Sequence, residues 1–146
     1  MDVLPHRRST DVLHEEFGLR SLHRTCQNQG CGICLILLDE QPVLSCLLPA
    51  FELRDRDIWT AEGLALLKEF GDIVEGFGSV GVRPCPICGP ARTLATEALL
   101  RRTLRPTRQQ AKDTAASIRC DCCSEARVIS AVLKTARIRE ARLHAQ

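Results

Sequence analysis

The sequence predicts an α+β fold, with a small sheet in the first half of the chain and helices in the second. Three observations carry this. The apolar run Leu35-Ile36-Leu37-Leu38 is too short for a helix, and a second apolar stretch, Val43 to Leu48, follows it across Asp39-Glu40-Gln41-Pro42, which is the pattern of a hairpin. Beyond Cys88 the apolar residues recur at helical spacing instead. Eight of the nine cysteines fall into two groups, one in each half, and each group sits where loops are expected.

Taken in order, Met1 to Leu4 suits a strand that Pro5 ends. Ser9 or Thr10 is an expected N-cap for a helix over residues 10–17, with Leu13 and Phe17 on one face and Gly18 as its stop. The hairpin comes next. Phe51 and Leu53 alternate with Glu52 and Arg54, and Ile58-Trp59-Thr60 reads as a short last strand. Helical spacing begins over residues 62–70 and is expected to break at Gly71, with another turn or two over residues 72–77. Leu94, Ala98 and Leu99 form one apolar helix face, with Arg101, Arg102 and Arg105 at the C-terminal end where cations favour the dipole. Thr107 and Gln110 have the spacing of a capping box that opens a helix to about residue 118. Ser124 caps a last helix with Ile129, Val132, Leu133 and Ala136 on its buried face and a charged tail over residues 137–146. A helix crossing a small sheet fits a β-grasp ferredoxin-like unit over residues 1–64, followed by a helical bundle of four helices over residues 65–146.

Composition narrows the function. Twenty basic and 18 acidic residues leave a net charge of +2, without the electrostatic footprint of a nucleic-acid binder. With no Tyr, one Trp and four Phe, there are few platforms for stacking bases. The first residues lack the apolar stretch of a signal peptide, and Ile33 to Leu38 is far short of a membrane span. The expectation is a cytoplasmic chain with reduced thiols, which argues against a disulfide framework. Zinc or iron–sulfur ligation remains.

The first cysteine group, Cys26, Cys31, Cys34 and Cys46, has the spacing C-x4-C-x2-C followed by eleven residues and a fourth cysteine. That is the spacing of plant-type [2Fe–2S] ligation, in which four thiolates hold two irons. A loop wrapped around an inorganic core must bend sharply, and Gly30 and Gly32 supply the backbone freedom. The hairpin would bring Cys46 back to Cys34. The second group pairs Cys85-Pro86-Ile87-Cys88 with Cys120-Asp121-Cys122, thirty-one residues apart. By itself this group suits zinc as well as iron–sulfur. Helix N-termini and loops there offer free N–H groups to a negatively charged site. Cys123 reads as a small buried hydrophobe rather than a ligand, since adjacent ligands in C-x-C-C would crowd one metal. His6, His14, His23 and His144 have no paired ligand spacing, and Trp59 reads as core or interface.

The order C-x4-C-G-x-C-x11-C, then C-x2-C-x31-C-x-C, resembles the iron–sulfur subunit of the molybdenum hydroxylases, the family of xanthine dehydrogenase and aldehyde oxidoreductase. The resemblance runs over roughly residues 4–136 and extends to Thr60-Ala61-Glu62-Gly63-Leu64 and Val128-Ile129-Ser130-Ala131-Val132-Leu133. It implies two [2Fe–2S] clusters, a flavin-side one on Cys26, Cys31, Cys34 and Cys46 and a molybdenum-side one on Cys85, Cys88, Cys120 and Cys122. It implies that molybdopterin and FAD sit on a large molybdopterin subunit and an FAD-binding subunit. It also implies a strand ahead of Met1, whose place is empty, taken by a partner, or encoded upstream. Several positions depart from the family pattern: Gln29, Pro84 and Pro86 stand where it has glycine, glutamine and glycine, and Asp121 replaces an arginine. Asp121 is expected to lower the potential of its cluster.

The expected function is electron relay through two [2Fe–2S] clusters from a molybdopterin site to a flavin or other acceptor. The enzyme would be a hydroxylase or dehydrogenase of purine, aldehyde or N-heterocycle type, most nearly of the xanthine dehydrogenase kind. No catalytic residue or substrate site is expected in this chain. The alternatives are a zinc-stabilised adaptor and a stand-alone ferredoxin.

Overall fold

A computed structural model of the chain describes residues 3–22, 26 and 30–146. Among them are three strands, in the order β2-β1-β3, and six helices. Met1, Asp2 and His23, for which the sequence suggests a strand and a surface role, lie outside the described residues, and Val3 and Leu4 are not in a strand.

Helix α1 spans Ser9–Glu15. Its N-cap is Arg8, without a side-chain cap, because the Ser9 hydroxyl donates to the Pro49 carbonyl at 3.2 Å instead. The helix ends two residues before Phe17, which is exposed, while Leu13 is buried. Gly18 turns the chain with φ +67°, as expected.

Strands β1 (Leu35–Leu38) and β2 (Gln41–Leu44) form the predicted hairpin. Its turn is tighter than the sequence suggests. Asp39 and Glu40 alone make it, both with positive φ, the demand of a type I′ connection. Asp39 tolerates this because its carboxylate accepts the Asp57 N–H and pairs with Arg56. All four residues of β1 are buried, so it is the central strand. The second strand stops at Leu44 rather than running to Leu48. The Ser45 hydroxyl and N–H both donate to the Cys34 carbonyl, at 2.8 and 3.2 Å, and curl residues 45–47 into a 3₁₀ turn. Residues 50–53 form a second 3₁₀ turn, and β3 (Ile58–Trp59) closes the sheet against β1.

Helix α2 (Ala61–Leu64) leads into α3 (Lys68–Ser79). The latter passes through Gly71, where a break is expected from sequence. Gly71 faces open space, so it costs only its helix propensity, about 1 kcal/mol. Gly76, in contrast, has a structural task. A Cβ there would stand 2.1 Å from the Thr135 hydroxyl oxygen, so glycine lets α3 lie directly on α6.

Helix α4 (Gly89–Arg102) carries the buried Leu94, Ala98 and Leu99. Helix α5 (Arg108–Ala116) opens with the predicted Thr107–Gln110 capping box. Helix α6 (Glu125–His144) opens on Ser124, whose hydroxyl accepts the Arg127 N–H, and absorbs nearly all of the charged tail. One apolar core runs from the sheet into the helices, joining Leu35 and Leu37 to Leu94, Leu99, Ile118 and Val132. Both cysteine groups border it.

Candidate metal centre

Cys85 lies just before α4 and Cys88 is the N-cap of that helix. Pro90, in its first turn, has the fixed φ a helix start requires. Cys120 and Cys122 lie in the loop between α5 and α6. These four sulfur atoms all fall within 4.8 Å of one another. The Sγ–Sγ distances are 3.6 Å for Cys85–Cys88, 3.7 Å for Cys85–Cys120 and 3.3 Å for Cys88–Cys122. Two backbone N–H groups point at the sulfurs, Cys88 N–H to Cys85 and Cys85 N–H to Cys122, at 3.5 and 3.4 Å. Cys88 is fully buried and Cys122 exposed.

The thiols differ in acidity accordingly. Burial, with the neighbouring Cys122, pushes the Cys88 thiol up. Partial burial also opposes ionisation of Cys122, but the Cys85 N–H and the thiols of Cys88, Cys120 and Cys123 outweigh it and bring its pKa down to about 6. The Cys88 N–H does the same for Cys85. The fifth thiol, Cys123, stands 3.6 Å from Cys122 and packs partly buried against the core.

In the first group, Cys34 is buried at the start of the hairpin and Cys46 lies in the 3₁₀ turn after it. The hairpin therefore returns Cys46 to Cys34, as expected, and the Cys46 N–H lies 3.5 Å from the Cys34 sulfur. Burial pushes the Cys46 thiol up to about 12, with Cys34, Cys26 and Cys31 adding to the effect. Burial also raises Cys31, against the Ile33 N–H, with Cys26 and Cys34 contributing. Gly30 and Gly32 have φ of +108° and +80°. Gly32 matters twice, because a Cβ there would stand 2.2 Å from the Ser117 carbonyl oxygen. Of the described histidines, His14 Nδ1 contacts the Leu19 carbonyl and His144 Nε2 lies 3.7 Å from Glu140.

Four soft sulfur donors converging on one point suit zinc or iron–sulfur. The donor set of the second group therefore fits a four-thiolate metal centre, and N–H groups aimed at sulfur are the usual means of tuning one. One residue at this centre gives no sequence signal. Arg92, a charged residue inside the apolar stretch of α4, is buried against the loop that carries Cys120.

No family model matches the chain. Among curated proteins, it is 29% identical over 128 residues to a nicotinate dehydrogenase small FeS subunit of Eubacterium barkeri, covering 88% of this chain and 82% of that one. It is 31% identical over 121 residues to a probable xanthine dehydrogenase subunit of Bacillus subtilis, covering 82% and 69%. Among solved structures, quinoline 2-oxidoreductase from Pseudomonas putida 86 superposes with a TM-score of 0.81 at 26% identity, over 97% of this chain and 87% of that one. Aldehyde oxidoreductase from Desulfovibrio desulfuricans gives 0.83 at 24% identity, and there the chain spans only 16% of the longer protein. The chain belongs to the family of iron–sulfur small subunits of molybdenum hydroxylases of the xanthine and nicotinate dehydrogenase type. The mixed sheet-and-helix fold matches that of part of aldehyde oxidoreductase, and no described helix is long and apolar enough to cross a membrane.

Proposed function

We propose that this chain is an electron-transfer subunit holding two [2Fe–2S] clusters. Cys85, Cys88, Cys120 and Cys122 would bind the one nearer a molybdopterin subunit. Cys26, Cys31, Cys34 and Cys46 would bind the one nearer a flavin or other acceptor. The Cys26, Cys31, Cys34 and Cys46 cluster would belong to a β-grasp unit over residues 1–64, and the Cys85, Cys88, Cys120 and Cys122 cluster to a helical unit over residues 65–146. When bound, such a cluster exchanges one electron and has no open position for substrate. Chemistry on a purine, an aldehyde or an N-heterocycle would then occur on the larger partner.

One observation carries the relay. The Arg119 N–H donates to the Cys31 carbonyl at 2.8 Å, and Cys120 is the next residue. One ligand loop of each group is thus joined by a single hydrogen bond. The absence of a side chain at Gly32 is what allows Ser117 and Ile118 to come that close.

A specific observation also favours a second reading, a zinc-stabilised adaptor. Zinc–sulfur bonds of 2.3 Å in a tetrahedron put sulfurs about 3.8 Å apart, close to the separations of 3.3–3.7 Å in the second group. Metal and labile sulfide content of anaerobically purified chain separates the two. About four irons per chain supports the relay on eight thiolates. Zinc without iron or labile sulfide refutes it.

A further inference from the structure

Arg92 is 4% exposed, on the first turns of α4, one helical turn after Cys88. Its own N–H donates to the Cys88 carbonyl at 2.9 Å. The guanidinium reaches across to the segment that ends α5. Nη1 donates to the Ala115 carbonyl at 3.3 Å, and Nη2 to those of Ile118 and Cys120 at 3.4 and 3.3 Å. Nε is buried and has no partner.

Among the described residues, no carboxylate pairs with this cation. The other buried arginine, Arg139, shows the contrast, with Asp72 and Glu97 at 3.0 and 2.7 Å. A buried charge without a counter-charge is strongly unfavourable, and three carbonyl dipoles compensate it only in part. The groups beside Arg92 that carry negative charge when metal is bound are the thiolates.

We propose that Arg92 is a positioning and potential-setting residue of the second centre. Its charge offsets that of the four thiolates, and its forked donors hold the carbonyls of the segment that brings Cys120 to within 3.7 Å of Cys85. The inference rests on the iron–sulfur reading of that centre. Adding an electron to a four-thiolate cluster makes it more negative, so a fixed cation beside it favours the reduced form. Arg92 would act against exposed Asp121, on the same loop as Cys120, whose charge would lower that potential.

The test is an EPR-monitored redox titration of the full chain, with iron and labile sulfide measured on the same samples. Arg92→Met should shift the one-electron equilibrium of one cluster at least tenfold towards oxidised, a downward move of about 59 mV. The other cluster should stay where it is. Arg92→Lys, which keeps the charge and loses the fork, should return most of the shift. An unmoved potential with iron retained would overturn the proposal, as would Arg92→Lys behaving like Arg92→Met. If Arg92→Met does not load iron, Arg92→Gln takes its place. Should both neutral variants lose iron while Arg92→Lys holds it, the charge is needed for loading and the proposal stands. Equal loss in all three refutes it. Wild-type chain that holds only the first cluster would instead defeat the iron–sulfur reading of this centre.

Discussion

Replacing Arg139 with methionine should destabilise the protein far more than any exposed ion pair would suggest. Arg139 on α6 is 4% exposed and joins three elements. Its Nε donates to Asp72 of α3 at 3.0 Å, its Nη1 to Glu97 of α4 at 2.7 Å, and its Nη2 to the Glu69 carbonyl at 2.9 Å. Both acids are themselves buried. Removing one partner of a buried pair costs roughly 3–5 kcal/mol, because the remaining charge stays out of water. Here each acid keeps one arginine, Arg142 on Asp72 and Arg101 on Glu97, so about 3 kcal/mol is expected. For a chain of this size that is about 6–12 °C in Tm. Thermal unfolding followed by circular dichroism under anaerobic conditions reads it, with Arg105→Met as control. Arg105 also pairs with a carboxylate, Glu140, but is 81% exposed, so its loss should cost far less than that of Arg139. Equal losses in the two variants would refute the argument. pH gives a second check. Burial opposes ionisation of Asp72, yet hydrogen bonds from Arg142 and Arg139 outweigh it and hold its carboxyl below the usual range. Its stabilisation is therefore complete above about pH 4 and is lost as pH falls through the lower folded value. Without Arg139 that folded value rises, and the acid transition should begin at higher pH.

Gly32→Ala should cost at least about 2 kcal/mol and impair iron loading of the first group, because φ is +80° and the new Cβ would meet the Ser117 carbonyl at 2.2 Å. Iron content and Tm measure both, and an unchanged Tm would show that the close approach is not needed. In metal-free chain, Cys122 should be the first thiol alkylated by iodoacetamide, with its rate rising through about pH 6; peptide mass mapping between pH 5 and 8 checks this. Preferential labelling of Cys46, whose thiol is pushed up to about 12, would contradict the acidity order. Asp121→Arg should move the second cluster's potential upward in the same titration that tests Arg92, and no rise would remove Asp121 from the account.

What was legible in the sequence was what depends on residues close along the chain. The Thr107–Gln110 capping box, the Ser124 cap, the hairpin and the return of Cys46 to Cys34 all follow from spacing within a dozen residues. Two departures from the expected structure trace instead to a serine hydroxyl that bonds a backbone carbonyl outside its own element. The Ser9 hydroxyl leaves its cap for Pro49, forty residues on. The second strand ends early because Ser45 turns back to the Cys34 carbonyl, which is a feature of the ligand loop rather than of the strand. Arg92, Asp72, Glu97 and Arg139 belong to residue types that are mostly exposed, and all four are buried.

Contacts between the sheet and the helices bear on the proposed relay. The core is continuous from β1 into the helices, so the sheet and the helices share their apolar contacts. Polar links reinforce the same junction. Arg101 of α4 donates to Glu40 in the hairpin turn at 2.8 Å and lies 4.7 Å from the centre of the Trp59 ring. At the other end, Arg119 holds the Cys31 carbonyl. The hairpin is thus tied to the helices at its tip and near its cysteines. Electron transfer between two centres depends on a separation that stays fixed, and a shared core with tethers at both ends provides that more securely than a flexible linker would. Close backbone approach is also why Gly32 and Gly76 are glycine, whereas Gly71 could be replaced. The first two sit where backbones must touch, and the third sits where nothing does.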